Sequence, residues 1–363
     1  MKSKRIFKNI LKAVLSLLLI VVIVVISYVS YVLIDYKRIE DNVALEITDN
    51  TSSLLPVEKE LKAISYNIGF CAYTQDFSFF MDGGKSSRAK SEDSVKEVLS
   101  GIESLLKDEN ADIIMMQEVD IDATRSHHID QKSYIANAFG SHDNLFAVNY
   151  DSAYLFYPFT EPIGKSLSGL LTMSKYDINS SVRRSLPIET SLMKLVDLDR
   201  CYSVSRMKTE NEKELVLYTV HLSAYTSDGT IATEQLKLLI DDMKAEYSKG
   251  NYIVCGGDFN KDLLQDSGAI FGVSGEAYTW AQAFPLEMLE NTGLSLVAPL
   301  DENNPVASCR NTDEPYKAQG QFNVTLDGFI VSDNVTVSKS NVIDNKFKYS
   351  DHNPVYMTFT LKG

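Results

Sequence analysis

Three hydropathy regimes succeed one another along the chain. From Ala13 to Ile34 a run of 22 residues, mostly Leu, Ile and Val, carries no charge. About 20 such residues cross a bilayer as a helix, so residues 13–34 are predicted to span a membrane, behind a basic segment at residues 1–12. Over residues 35–57 polar positions and turn formers take over (Asp49, Asn50, Thr51, Ser52, Ser53, Pro56), the pattern of a short tether. From Glu58 onward, β-branched and apolar runs predict strands over Leu61–Ile68, Ile113–Gln117, Leu215–His221, Tyr252–Cys255, Leu326–Val331 and Pro354–Leu361. Two stretches switch to a helical period. Lys90–Leu106 puts Val95, Val98, Leu99, Ile102, Leu105 and Leu106 on one face, and Thr233–Tyr247 does so with Leu236, Leu239, Ile240 and Met243. Interleaved strands and helices without an internal repeat predict one mixed α and β domain over residues 58–363.

Charge gives the apolar run a direction. Lys2, Lys4, Arg5, Lys8 and Lys12 precede it and no acid does, which by the positive-inside bias keeps the N-terminus cytoplasmic and the domain extracytoplasmic, on a cell membrane crossed once. Tyr28, Tyr31 and Tyr36 gather at the outer end, where amphipathic rings favour the headgroup region. A cleavable signal peptide is the competing reading, but its apolar region usually has about 7–15 residues and closes on a small-x-small site that this sequence lacks. Beyond residue 40 the chain holds 28 basic and 47 acidic side chains, a formal charge of −19. That mean field repels nucleic acid and anionic lipid, so a phosphate ligand needs a local metal ion or a local basic patch. Cys71, Cys201, Cys255 and Cys309 form no C-x-x-C pair, which removes zinc-ribbon and thioredoxin-type readings and leaves disulfide pairing open.

The candidate chemistry stands at the strand ends. Asn67 follows Ile64-Ser65-Tyr66, Glu118 follows Ile113–Gln117, and His221 follows Leu217–Val220. Tyr252–Cys255 leads through Gly256-Gly257 to Asp258-Phe259-Asn260, Asp327 opens the run Gly328–Val331, and Ser350-Asp351-His352-Asn353 precedes Pro354-Val355. Singly, polar residues at strand ends answer to turns and solvent. As a set they supply hard oxygen ligands for a divalent cation, imidazoles for proton transfer or phosphate binding, and amides that donate to phosphate oxygens.

Six segments in order, S-Y-N-I, M-M-Q-E-V, T-V-H-L, G-G-D-F-N, L-D-G-F-I-V and S-D-H-N-P-V, resemble the endonuclease/exonuclease/phosphatase superfamily over Ser65 to Val355. The resemblance implies an α+β fold, a four-layer α/β/β/α sandwich of two mainly antiparallel sheets with the site at one end. It implies Mg²⁺, or Mn²⁺, held principally by Glu118 with Asn67 and Asp351 close to the metal or its waters. It further implies that His352 contacts the scissile phosphate and is oriented by Asp327, and that Asp258 aligns and deprotonates the attacking water. Asn260 would donate to a phosphate oxygen, and His221 would bind phosphate or assist the leaving group. With His rather than Tyr at position 221, the chain resembles the deoxyribonuclease, sphingomyelinase and 5-phosphatase branches more than the abasic-site endonucleases.

The expectation is therefore a membrane-tethered, Mg²⁺-dependent phosphoesterase whose substrate is nucleic acid, a lipid headgroup or a small phosphate ester, with no protein partner foreseen. A silent binding module on the same fold is the alternative, and it expects replacements among Glu118, Asp258, Asn260, Asp327 and His352, all of which are present. Arg125 and His127, in Arg125-Ser126-His127-His128, are candidate contacts to a flanking phosphate, weighed against a solvated loop. The aromatic segment Phe70–Arg88 either overhangs the site or packs as a surface loop; its Gly83-Gly84-Lys85-Ser86 lacks the Walker spacing because Phe79 stands where Gly is required. Asp197 and Asp199 near Arg200 read as a charged turn, and no long apolar hairpin stands out.

Overall fold

Alternate side chains of each predicted strand meet two different apolar surfaces, and this is what fixes the architecture. The computed structural model describes residues 2–363 except 49, 196, 225–228, 277 and 279. Along Glu60–Asn67, Leu61 and Ala63 face a core between two sheets, while Ile64 and Tyr66 face a second core beneath a helix. One seven-stranded sheet runs in the order Val335–Val342, Val355–Leu361, Glu60–Asn67, Ile113–Ala123, Ser166–Ser174, Asp143–Asp151, Ile47–Thr48. The other, also seven-stranded, runs Val43–Ala44, Ser180–Ser185, Cys201–Lys208, Glu214–His221, Tyr252–Asp258, Asp327–Ser332, Leu294–Val297. Each sheet holds one parallel pair, Glu60–Asn67 with Ile113–Ala123 and Glu214–His221 with Tyr252–Asp258.

Helices close the outer faces. Glu92–Glu109 lays Val95, Leu99, Ile102 and Leu106 on the first sheet, and Thr230–Tyr247 lays Leu236, Leu239, Ile240 and Met243 on the second. The first helix begins two residues later than its apolar pattern suggested, because Ser91 and Ser94 cap each other's backbone N–H groups. The layers are helix, sheet, sheet, helix, the α+β sandwich expected. All four cysteines are buried and unpaired. Lys2–Asp35 is one continuous helix, long and apolar enough to cross a membrane, whose apolar side chains are exposed from Ile6 to Ile26 and meet the domain only near its end, where Val32 is buried.

Residues 35–57 depart from the expected tether. Val43–Ala44 pairs with Ser180–Ser185, Ile47–Thr48 pairs with Asp143–Asp151, and Leu55 is fully buried. Polar contacts fasten it as well: Arg38 reaches the buried Asp199 at 2.5 Å, and Arg183, already held by Val148 O, Ser185 Oγ and Asp199 O, adds Glu40 O at 3.1 Å.

Between the sheets, packing tightens toward one end. A Cβ on Gly256 would stand 2.5 Å from Met115 Cε of the facing sheet and 2.9 Å from Phe329 Cδ1; within its own sheet, a Cβ on Gly257 would stand 2.1 Å from O of Val220 on the neighbouring strand. The second collision is with backbone and cannot be relieved by a rotamer change. Gly257→Ala is therefore expected to destabilise the detergent-solubilised chain by on the order of 3 kcal/mol in denaturant unfolding. A loss no larger than a surface substitution causes would show that the strands are free to part.

Candidate active site

Strand register decides which polar residues meet. Leu215 and Leu217 face the inter-sheet core, and with period two so does His221 at the strand's end; Tyr252 and Val254 carry Asp258 inward in the same way, and Phe329 and Val331 carry Asp327. Asp258 lies in register opposite both His221 and Asp327. From the facing sheet, Asn67 shares the inward parity of Leu61 and Ala63. Glu118 needs a bulge. Met116 to Val119 opposes only Leu171 to Gly169, one residue is extra, and Glu118 takes φ +55°. Without it, Glu118 would follow Ile114 and Met116 into the helix-covered core.

Asn67 Nδ2 donates to Glu118 Oε1 at 3.2 Å and to Asp258 Oδ2 at 3.1 Å, while its Oδ1 accepts from Gly69 N at 3.0 Å. It therefore bridges the two carboxylates through its amide nitrogen. Asp258 Oδ1 accepts from Asn260 N at 2.9 Å; its Oδ2 lies 3.6 Å from His221 Nε2 and 3.7 Å from His352 Nε2. His352 Nδ1 and Asp327 Oδ2 are 2.7 Å apart, and the same oxygen accepts from Ser308 Oγ at 2.7 Å. Asn260 Nδ2 spends one N–H on Leu222 O at 2.7 Å and keeps the other. Asp351 Oδ1 accepts from Ser350 Oγ at 3.1 Å. Glu118, His221, Asp258, Asn260, Asp351 and His352 line a cavity of about 270 Å³, with Asn67 and Asp327 buried behind them.

Burial pushes the Asp258 carboxyl up to about 7, with the charge of Asp327 adding to the effect and His352 opposing it. Burial also raises Glu118, partly offset by Arg125, and Asp351, partly offset by His352. The two imidazoles diverge. Burial alone would depress His352, but the Asp327 carboxylate and its hydrogen bond hold it well above the ordinary histidine range. His221 falls well below that range through burial, helped by Arg200 and His352. One ring is thus cationic at neutral pH and the other neutral.

Of the two candidate phosphate contacts near Glu118, the structure brings only Arg125 to the cavity. It lies buried 3.9 Å over the Phe70 ring, with Nε and Nη2 on Asp120 at 3.1 and 2.8 Å. His127 points its Nε2 at Ala89 O, 2.8 Å away, and does not line the cavity. Phe70, Tyr73, Phe79, Met81 and Asp82 do line it, so the aromatic segment overhangs the site. The N–H groups of Gly84, Lys85 and Ser86 are spent on Phe79 and Ser78 carbonyls, which leaves no phosphate loop there.

The sequence put Arg200 in a charged turn and gave no sign of Asn149. Both line the cavity, and Arg200 Nε and Nη1 and Asn149 Nδ2 are buried with no partner among the described residues. Unpaired buried donors of this kind are costly unless an anion meets them. The available signal was a lone Arg directly before the strand Cys201–Lys208, whose own alternation is blurred by Ser203, Ser205 and Arg206.

The site also fits a divalent cation. Ligand atoms of Asp258, Asp327 and His352 lie within 4.8 Å of one another, but Asp327 and His352 are committed to each other. Glu118 and Asp351 are the better pair for a hard cation, since both are carboxylates, both are raised by burial, and Asp351 raises Glu118 further.

A sign follows for the metal-free protein. With Asp258 raised in the folded state, folded chains hold a proton that unfolded chains release between about pH 4 and about pH 7, so the carboxylate costs stability as pH rises through that window. In excess chelator, the melting temperature of Asp258→Asn minus that of the wild type is expected to grow from about pH 5 to about pH 8, by the equivalent of a few kcal/mol at roughly 1.4 kcal/mol per pKa unit. A flat or shrinking difference contradicts the assignment.

The sequence pattern of the Endonuclease/Exonuclease/phosphatase family matches residues 64–352. No curated protein matches the chain in sequence. Among solved structures the fold is similar to that of the endonuclease/exonuclease/phosphatase from Beutenbergia cavernae DSM 12333, at 18% identity over 84% of this chain and 72% of that one with TM-score 0.60. It is similar to ANGEL2, a 2′,3′-cyclic phosphatase, at 15% identity over 88% and 99% with TM-score 0.55. The mannosyl-6-phosphatase of Bacteroides thetaiotaomicron VPI-5482 is similar at 15% identity over 83% and 100% with TM-score 0.55. Those identities speak for the fold; the family pattern runs from Ile64 to His352, and the chain belongs to the endonuclease/exonuclease/phosphatase family, whose members are metal-dependent enzymes that hydrolyse phosphate esters.

Proposed function

We propose that the protein is a membrane-tethered, Mg²⁺-dependent phosphoesterase whose catalytic domain lies outside the cytoplasm and which hydrolyses its substrate by in-line attack of water. The observation that carries the reading is the placement of one Asp258 oxygen within 3.7 Å of two imidazoles of opposite character, on the same cavity as Glu118 and Asp351. The basic flank before the apolar helix supports the orientation.

In this reading Glu118 and Asp351 would hold the cation, Asn67 fixes Glu118, and the chemistry the ion would supply is neutralisation of charge on the phosphoryl group. The remaining work belongs to the chain's own groups. Asp258 accepts the proton of the attacking water, and its elevated pKa makes it a stronger base than a solvated carboxylate. His352, cationic and held by Asp327 at 2.7 Å, donates to a phosphoryl oxygen. Asn260 offers its remaining N–H to another, and neutral His221 serves the leaving-group side. Arg200 and Asn149 draw the anion into the cavity.

On a soluble aryl phosphodiester, Asp258→Asn and His352→Ala are each expected to lower kcat by about 10²–10⁴-fold, and chelator to abolish turnover until Mg²⁺ or Mn²⁺ is returned. Undiminished turnover by Asp258→Asn would sink the proposed mechanism. Arg200→Ala is expected to raise KM about tenfold with kcat little changed, as loss of a hydrogen bond to a charged group implies. A fall in kcat at constant KM would place Arg200 in the transition state instead.

A further inference from the structure

The outer turns of the membrane-crossing helix carry a loop of the domain. Tyr28 Oη donates to Tyr154 O at 3.2 Å, Tyr154 N donates to Tyr31 Oη at 3.0 Å, and the Tyr28 and Phe156 rings meet edge to face at 5.2 Å. Tyr28 lies on the helix before Ile34, where the apolar run ends; at 1.5 Å per residue the contact is about 9 Å inside that end. A segment touching the helix there sits at the boundary between headgroups and acyl chains, the depth at which interfacial apolar surfaces bury.

The loop's composition suits that depth. Phe156 is 50% exposed, Tyr157 62% and Phe159 84%, three neighbouring aromatic rings turned to solvent on an otherwise acidic domain. Water is an unfavourable medium for such a patch, and the interfacial zone is where aromatic rings partition. Lys37 and Lys165, both exposed, flank the helix end beside Tyr31, Ile34 and Asp35, at the level where headgroup phosphates lie.

The same loop reaches the catalytic cavity. The Tyr157 ring lies 5.6 Å from that of Phe80, Phe80 lies 4.9 Å from Phe79, and Phe79, Ile163 and the largely exposed Met81 line the cavity. An aromatic surface thus runs from the membrane helix to the catalytic mouth.

We infer that the Tyr154–Phe159 loop embeds in the outer leaflet and that the cavity opens onto the bilayer, so that the substrate is the phosphodiester of a membrane phospholipid headgroup. This inference rests on the phosphoesterase reading and narrows it. Water adds to phosphorus, one P–O ester bond breaks, and the products are a phosphate monoester and an alcohol, with the water's proton first on Asp258 and no redox partner required. The charge of −19 beyond residue 40 disfavours long polyanions and strongly anionic leaflets, whereas a zwitterionic headgroup carries no such penalty.

The test uses the full chain reconstituted with Mg²⁺ into vesicles of phosphatidylcholine, phosphatidylethanolamine or phosphatidylglycerol. A Phe159→Trp probe in a Trp280→Phe background is expected to be quenched by lipids brominated on their acyl chains; an unquenched probe overturns the insertion. Tyr157→Ser with Phe159→Ser, both at exposed positions, is expected to cut phospholipid cleavage about tenfold, a loss of burial on the order of 1.4 kcal/mol, while hydrolysis of a soluble aryl phosphodiester stays within about twofold. Equal loss on both substrates would make the loop structural and refute the inference. Wild-type cleavage of the soluble diester without cleavage of any phospholipid refutes this inference alone, and cleavage of neither refutes the enzyme reading as well.

Discussion

Two sheets meet where Gly256 leaves no space for a side chain against Met115 of the facing sheet, and the hydrogen bond from Asn67 to Asp258 crosses between them nearby. Away from this end the inter-sheet layer is mostly apolar, with Leu61, Leu217, Val254, Phe329 and Phe359 among its members. At this end it is replaced by carboxylates, imidazoles and amides drawn from both sheets, and no single strand could supply the set. The close approach is therefore the constraint from which the site follows: His221 and Asp258 come from one parallel pair, Asn67 and Glu118 from the other, and Asp327 and His352 bind each other beside them.

Assembling the set has a cost. Glu118, Asn260 and Phe70 all adopt positive φ, a conformation that residues other than Gly rarely hold, and three carboxylates are raised by burial. Such strain persists where surrounding structure over-determines it and where a ligand relieves it. A divalent cation between Glu118 and Asp351 would relieve the charge, and an anion at Arg200 and Asn149 would satisfy donors the chain leaves unpaired. Metal and phosphate, on this account, would each relieve a different part of that cost.

Much of this was legible in the sequence. Strands that read as unbroken β-branched and apolar runs because both faces are buried, such as Leu215–His221 and Tyr252–Cys255, announced themselves, and the polar residue at each end marked the site. Strands whose inward positions are polar did not: Thr172 and Thr219 meet across the sheets at 2.7 Å, Ser181 and Ser205 lie 3.0 Å apart, and Arg183 is buried among carbonyls, so Ser166–Ser174, Ser180–Ser185 and Cys201–Lys208 showed no hydrophobic period. The two-residue strands at Val43 and Ile47 are too short to have one, which is why a tether was expected where the chain joins both sheets. Arg200 was hidden for the same reason as the strand it precedes. The aromatic loop beside the long apolar helix is short and irregular, and only its proximity to Tyr28 gives it meaning.

The central claim is that Glu118 and Asp351, gathered at the end of the sandwich where the sheets meet, hold a divalent cation. The most direct measurement is the melting temperature of the detergent-solubilised chain as Mg²⁺ is titrated into metal-free protein, with the wild type beside Glu118→Gln. Binding to the folded state alone raises stability by about 2.7 kcal/mol at a hundredfold excess over Kd. The account predicts a saturable rise in the wild type that is lost in Glu118→Gln. An equal rise in both, or none in either, would contradict it.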